Sequence, residues 1–413
     1  MSAATDQDVI VIGGGPAGST LAALVAEAGR SVTLFERIES PKFRIGESLM
    51  PGSYWTFERR GVLDRLKESA FPRKYSVQFF SASGRGSAPF YFNQNDPHES
   101  AVTWQVLRSE FDPMLRENAK RHGAEIVLGA SVLEVAFEDG RAKGVRVKLG
   151  DGETKDYTAR VIVDASGQSA LISRKLKTAR TDPQLKKASI FAHFHDGRRD
   201  SGVDEGATLI LHTEDEASWF WYIPMPENRV SVGVVGDIDY LFGDRSLDAQ
   251  AIFDQQIGKC KEVRERLADA EQSFPAKVTK DFSYCSTQLA GDGWVLIGDA
   301  YGFLDPIYSS GLFLALKSGE MAADCILDAF EANDFSGDRL GSFQQEFVAG
   351  MDSIRKLVYA FYTQGFSFGK FLKAHPECQQ GIVDILSGNL YRTDVTSIFK
   401  PMAEMCSFPA DVV

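Results

Sequence analysis

The sequence predicts an α/β chain, α+β overall, on three observations. A strand, a glycine turn and a helix follow one another within residues 8–36, short β-rich runs between polar turns occupy 75–106 and 187–235, and helical periodicity with Gly and Pro breaks dominates beyond about residue 312. That order predicts a Rossmann-like domain assembled from 1–72, 107–186 and 286–330, interleaved with an antiparallel β-sheet domain from 73–106 and 187–285 and followed by a helical C-terminal region, 331–413. At 413 residues the chain exceeds the ~250–300 at which one core usually stops growing, which fits two lobes around a cleft. No repeat or low-complexity tract interrupts it.

Composition excludes several function classes. With 44% hydrophobic and 25% charged residues the chain is ordinary globular material, and a net charge of −12 argues against a phosphate-backbone footprint. The five cysteines, at 260, 285, 325, 378 and 406, contain no C-x-x-C pair, so reduced thiols are expected rather than a disulfide framework or zinc cage. The six histidines lack metal-ligand spacing, and His193 and His195, alternating on one strand, are expected to be structural. No run approaches the ~18 apolar residues of a membrane span, and the first apolar run leads into glycines rather than a cleavage site, so a cytoplasmic protein is expected.

The first element is DVIVIGGGPAGSTLAALVAEAGRSVTLFER, from Asp8. Gly13, Gly15 and Gly18 supply G-x-G-x-x-G between an apolar strand and a helix rich in Ala and Leu, with Pro16 and Ala17 inside the turn. A second strand, Ser31 to Phe35, ends at Glu36. Glycines allow a tight turn and close backbone approach, a helix N-terminus faces pyrophosphate, and the acid can accept ribose hydroxyls. A glycine turn without ligand is the bland alternative; strand, helix and acid in register favour a dinucleotide, FAD or NAD.

The far end bears on that choice. GWVLIGDAYGFLDPIYSSGLFLALKSGEMAADCI holds a strand, Gly298-Asp299-Ala300, a loop with Pro306, and Gly311 opening a long amphipathic helix. It resembles the second FAD signature of the p-hydroxybenzoate hydroxylase-like flavoproteins, which implies FAD as cofactor and Asp299 as holder of its ribityl or ribose portion. VLRSEFDPMLRENAKRHGAEI and ARVIVDASGQSALIS fill places the same superfamily uses, which implies Arg108 near the FAD phosphates. The plainer reading of Arg108 is a solvated arginine at a helix start. Arg37, Arg44 and Ser48 complete the set of candidate cofactor contacts. Only one dinucleotide fingerprint is present, so reduced FAD is expected from a separate flavin reductase.

SWFWYIPMP, residues 218–226, sets Trp219 and Trp221 on one face of a strand and Phe220 and Tyr222 on the other. Trp219-Phe220-Trp221-Tyr222-Ile223-Pro224 matches W-x-W-x-I-P, and with GESLMP at 46–51, D-P-x-x-S-S-G at 305–311 and the lysine of FPRKYSVQFF it resembles the flavin-dependent halogenases, in the branch acting on phenolic and pyrrolic substrates. The resemblance spans about residues 8–390 and implies that reduced FAD, dioxygen and chloride or bromide yield hypohalous acid. This then crosses a tunnel to an electron-rich aromatic, free or carrier-tethered. It further implies that Trp219 and Trp221 form a stiff wall between flavin and substrate, and that Lys74 receives the hypohalous acid. For the halide, Ser309, Ser310 and Gly311 offer hydroxyls and backbone N–H groups. The bland counterparts are a packed core face for the tryptophans, an ordinary serine N-cap and a solvated lysine, with Lys42 and Arg73 as rivals of Lys74. The chain departs from the family pattern at Ser76, where a glycine often stands. An aromatic hydroxylase or geranylgeranyl-reductase-like enzyme on the same fold, or a flavin-binding protein without turnover, are the rival readings.

Overall fold

The computed structural model describes residues 5–39, 43–94, 96–280, 282–391 and 393–409. Two eight-stranded sheets carry most of its strands. In the first, strand Thr5–Ile12 lies parallel between Val32–Glu36 and Thr154–Asp164, with Glu125–Leu128 and Trp294–Leu296 added parallel on either side. All-apolar runs such as Val9–Ile12 suit these central positions because both faces are covered. One face takes helix Pro16–Glu27, which packs closely on the long helix Ser310–Ala332.

The second sheet runs Glu271–Gln272, Lys187–His195, Arg229–Asp237, Ser218–Met225, Thr208–His212, Ser76–Phe80, Phe90–Tyr91, with Lys277–Lys280 also pairing Lys187–His195. It is antiparallel except where Thr208–His212 runs parallel to Ser76–Phe80, a departure from the expected all-antiparallel sheet. The long connection between those two strands, which passes through the first sheet, makes a parallel pairing possible. Arg73–Lys74 does not join this sheet; it pairs with Thr103–Trp104 in a two-stranded ribbon.

Alternation along Ser218–Met225 separates two cores as period-two geometry requires. Trp219, Trp221 and Ile223 join the cluster shared with the first sheet and the C-terminal helices, whereas Phe220 and Tyr222 join a second cluster beneath helix Ala249–Gly258 with Ile252 and Phe253. The sheet is therefore buried on both faces, and its tryptophan face looks toward the first sheet. Beyond Ser310 the described residues are helical and irregular, including Gln344–Tyr362 and Gln379–Ser387. The five cysteines are free and buried. No helix among the described residues is long and apolar enough to cross a membrane.

Candidate active site

The glycine turn is built by close approach. Gly13 takes φ +108°, and a Cβ there would lie 2.4 Å from the Ala165 carbonyl oxygen, while one on Gly18 would lie 2.1 Å from that of Gly13. Gly15 has nothing within 4 Å of the corresponding position and caps a helix with no side-chain cap, leaving room and N–H groups for a pyrophosphate. Glu36 anchors this end: its Oε2 accepts from the Gly14 N–H at 2.8 Å and its Oε1 from the Ile38 N–H at 2.9 Å.

These residues open on a cavity of about 860 Å³ between the two sheets. Gly13, Gly15, Pro16, Ala17, Glu36, Arg37, Arg44, Ser48, Arg108, Asp299, Pro306, Ser309, Gly311 and Trp221 all border it. Gly18, Ser310, Lys74 and Trp219 do not. The second sheet contributes Thr208, Ile210, Trp221 and Ile223, each from the face turned to the first sheet. Burial raises the Asp299 pKa to about 6, against the opposing pull of Arg108 and Arg44.

Arg108 is no solvated helix-start residue. It is buried, gripping Asp112 with Nε at 2.6 Å and Nη2 at 2.9 Å while Nη1 donates to the Ile45 carbonyl at 2.8 Å. Burial opposes its charge, but Asp112 together with the carboxylates of Asp299 and Glu47 outweighs this and its pKa is raised. The arginine thereby braces the 45–48 segment along the cavity wall. Arg116, not anticipated from sequence, does the same for the turn by donating to the Gly14 carbonyl at 3.0 Å.

Ser309 sits at φ +57° before helix Ser310–Ala332 and makes no capping bond with its side chain, so the ordinary serine N-cap does not hold. The N–H groups of the first turn are left without a side-chain acceptor where Ser309 and Gly311 meet the cavity, and they carry the favourable end of a helix dipole for an anion. The loop before it is held by Asp305, whose Oδ1 accepts from the Ile307 N–H at 2.9 Å. The Tyr362 hydroxyl donates to Asp305 Oδ2 at 3.1 Å and accepts from Trp219 Nε1 at 3.0 Å. Burial raises the Asp305 pKa to about 7, against these hydrogen bonds. The D-P-x-x-S-S-G run could have marked Asp305; no local signal marks Tyr362.

The two tryptophans thus differ. Trp221 walls the cavity, its indole N–H donating to Ser231 Oγ at 3.2 Å and its ring lying over Gly233, where a Cβ would come within 2.2 Å of it. Trp219 lies behind it, ring centroids 6.5 Å apart, against Phe361.

Lys74 is fully buried beyond Ser48. Its Nζ donates to Ser48 Oγ at 2.9 Å and to the Leu49 carbonyl at 3.1 Å, and lies 5.4 Å from the Phe92 ring centroid. Ser48 Oγ is also 3.0 Å from Thr208 Oγ1, so one residue separates amine and cavity. Burial without a carboxylate partner lowers the Lys74 pKa to about 7. Arg73 beside it is exposed, and Lys42 lies outside the described residues. Ser76 begins its strand without the positive φ that would call for glycine. His193 has its structural partner in Glu47, Nε2 to Oε1 2.6 Å, and no described residues form a metal-binding group.

A glycine turn with a free helix N-terminus and two acids, Glu36 and Asp299, at one end and an aromatic floor at the other mark a dinucleotide-binding cavity of the kind found in FAD-binding oxidoreductases, and the space beside Gly15 fits FAD. A family model for the FAD binding domain matches residues 6–323. A 1H-pyrrole-2-carbonyl peptidyl-carrier-protein chlorinase of Pseudomonas fluorescens is 30% identical over 97% of this chain and 93% of its own length. The corresponding brominase of Pseudoalteromonas luteoviolacea is 32% identical over 94% and 93%. Among solved structures, the flavin-dependent brominase Bmp2 aligns at TM-score 0.87 and 28% identity over 97% of this chain and 99% of that one. The myxobacterial chondrochloren halogenase CndH aligns at 0.81 and 28%, over 98% of each. The chain belongs to the flavin-dependent halogenase family and is an FAD-dependent halogenating enzyme.

Proposed function

We propose that the chain halogenates a pyrrolyl group held on a carrier protein, with chloride or bromide, and that reduced FAD reaches it from a separate reductase. The observation that supports this reading best is the buried Lys74 amine, one residue beyond the cofactor cavity through Ser48. Two relatives matching nearly the whole chain are named for carrier-bound pyrrole, which favours that acceptor over a free phenol.

When bound, reduced FAD supplies the two electrons with which dioxygen and halide become hypohalous acid and water. The residues of the chain do the rest. The Ser309 hydroxyl and the Gly311 N–H, both at the cavity, hold the halide, and Asp305 keeps that loop in place. Trp221, backed by Trp219, keeps the organic substrate from the flavin. Lys74, poised near neutrality, donates a hydrogen bond to hypohalous acid or takes up its halogen as a free amine and presents it to the ring. The aromatic carbon gains halogen and loses a proton.

The test is mass spectrometry of products from carrier-bound pyrrole, free pyrroles and phenols, with a flavin reductase and each halide supplied. Halide-dependent product on the carrier is expected, lost in Lys74→Ala and nearly as fully in Lys74→Arg if the free amine carries halogen. Full product from Lys74→Ala, or hydroxylated product alone, refutes the reading.

A further inference from the structure

Glu47 lies in the same segment as Ser48 but takes no part in the roles above. It borders the cofactor cavity, is 2% exposed, and its Oε2 has no hydrogen-bond partner. A buried carboxylate oxygen left bare costs free energy unless something fills its place. The other oxygen, Oε1, is fixed at 2.6 Å from His193 Nε2, and His193 is itself packed against the rings of Phe43 and Phe274, centroids 4.4 and 5.3 Å away. One oxygen is therefore clamped and the other is left as an acceptor at the cavity.

Its position says which part of the cofactor it meets. The adenosine half belongs at Gly13–Gly18 and Glu36. Glu47 precedes Ser48, which bonds Thr208 of the second sheet, and His193 belongs to that sheet too, so the acceptor stands at the opposite end, with Ile210 and Trp221. We infer that Glu47 is a binding residue for the flavin-bearing half of FAD, accepting a hydrogen bond from a ribityl hydroxyl or the ring imide N–H, and that His193 is its positioning residue. The inference rests on FAD as cofactor and is independent of the halogen acceptor.

The test compares the whole cofactor with its adenosine half on the full chain, by FAD fluorescence titration and by competition with ADP. With His193 donating to the retained carbonyl, Glu47→Gln turns an amide N–H₂ toward the flavin donor, so FAD affinity should fall on the order of ten- to a hundredfold. ADP affinity should move by less than about twofold, since a lone adenosine half never reaches this end. His193→Gln, able to donate to Oε1, should keep most FAD affinity, and His193→Phe should lose it. Glu47→Gln combined with His193→Phe should bind FAD no more weakly than Glu47→Gln alone if the histidine acts only through the acid. Unchanged FAD binding in Glu47→Gln, or FAD and ADP weakened in parallel, overturns the assignment and leaves the pair as a brace of the 45–48 segment.

Discussion

Replacing Lys74 by Met should make the protein more stable near neutral pH while ending halogenation, and the pH dependence should identify the cause. The Lys74 pKa is about 7 in the fold against ~10.4 for an unfolded lysine. At ~1.36 kcal/mol per pKa unit, keeping the ammonium buried below pH ~7 costs the fold up to roughly 5 kcal/mol relative to a neutral amine. The unfolded chain keeps a proton that the fold sheds between those two values, so wild-type stability rises with pH across the window and the penalty is fully present below it. Met titrates nowhere, and it forfeits hydrogen bonds to Ser48 and Leu49 worth about 1 kcal/mol each. Lys74→Met should therefore be more stable than wild type by about 2–4 kcal/mol near pH 6, with that advantage gone or reversed near pH 10. The difference between the two pH values should be about 4 kcal/mol. Urea titrations of both proteins at several pH values read this directly, with the midpoint difference shrinking as pH rises. Parallel curves for the two proteins would show that the amine is not desolvated in the fold, and the case for a near-neutral nucleophile would fall with it.

Other outcomes follow from the same geometry. Trp221→Ala should cost ~3–5 kcal/mol of stability and, where folded, shift products from halogenated toward hydroxylated compound or free peroxide; an unchanged ratio would leave Trp221 as core only. Glu36→Ala removes the acceptor of the Gly14 N–H at the adenosine end and should weaken FAD and ADP alike by on the order of tenfold, measured by titration. Tyr362→Phe strips Asp305 and Trp219 of a shared partner and should destabilise by about 1–3 kcal/mol while weakening halide dependence of product formation; a fully stable variant with unaltered halide response would separate the halide loop from this chain of hydrogen bonds.

Much of this protein is local in sequence. The glycine turn, its helix and the acid at position 36 lie within one strand–helix–strand unit, so spacing alone specifies their relation, and W-x-W-x-I-P carries its own alternation, which the two cores reproduce at Trp219, Phe220, Trp221 and Tyr222. Lys74 was legible only as part of a motif; that its amine is dry and held by Ser48 depends on the ribbon with Thr103–Trp104 and on the 45–50 segment folding over it. Arg108 shows the same limit, because a helix-start arginine becomes a buried brace only when Asp112 and the Ile45 carbonyl converge on it. The Trp219–Tyr362–Asp305 connection joins positions 143 and 57 residues apart, and Glu47 meets His193 across 146. Local propensity and periodicity act over a few residues and so determine turns, strand faces and helix starts. Burial of a charge and the sharing of one hydrogen bond between distant segments arise only when separate cores pack, and those were decided by the tertiary structure.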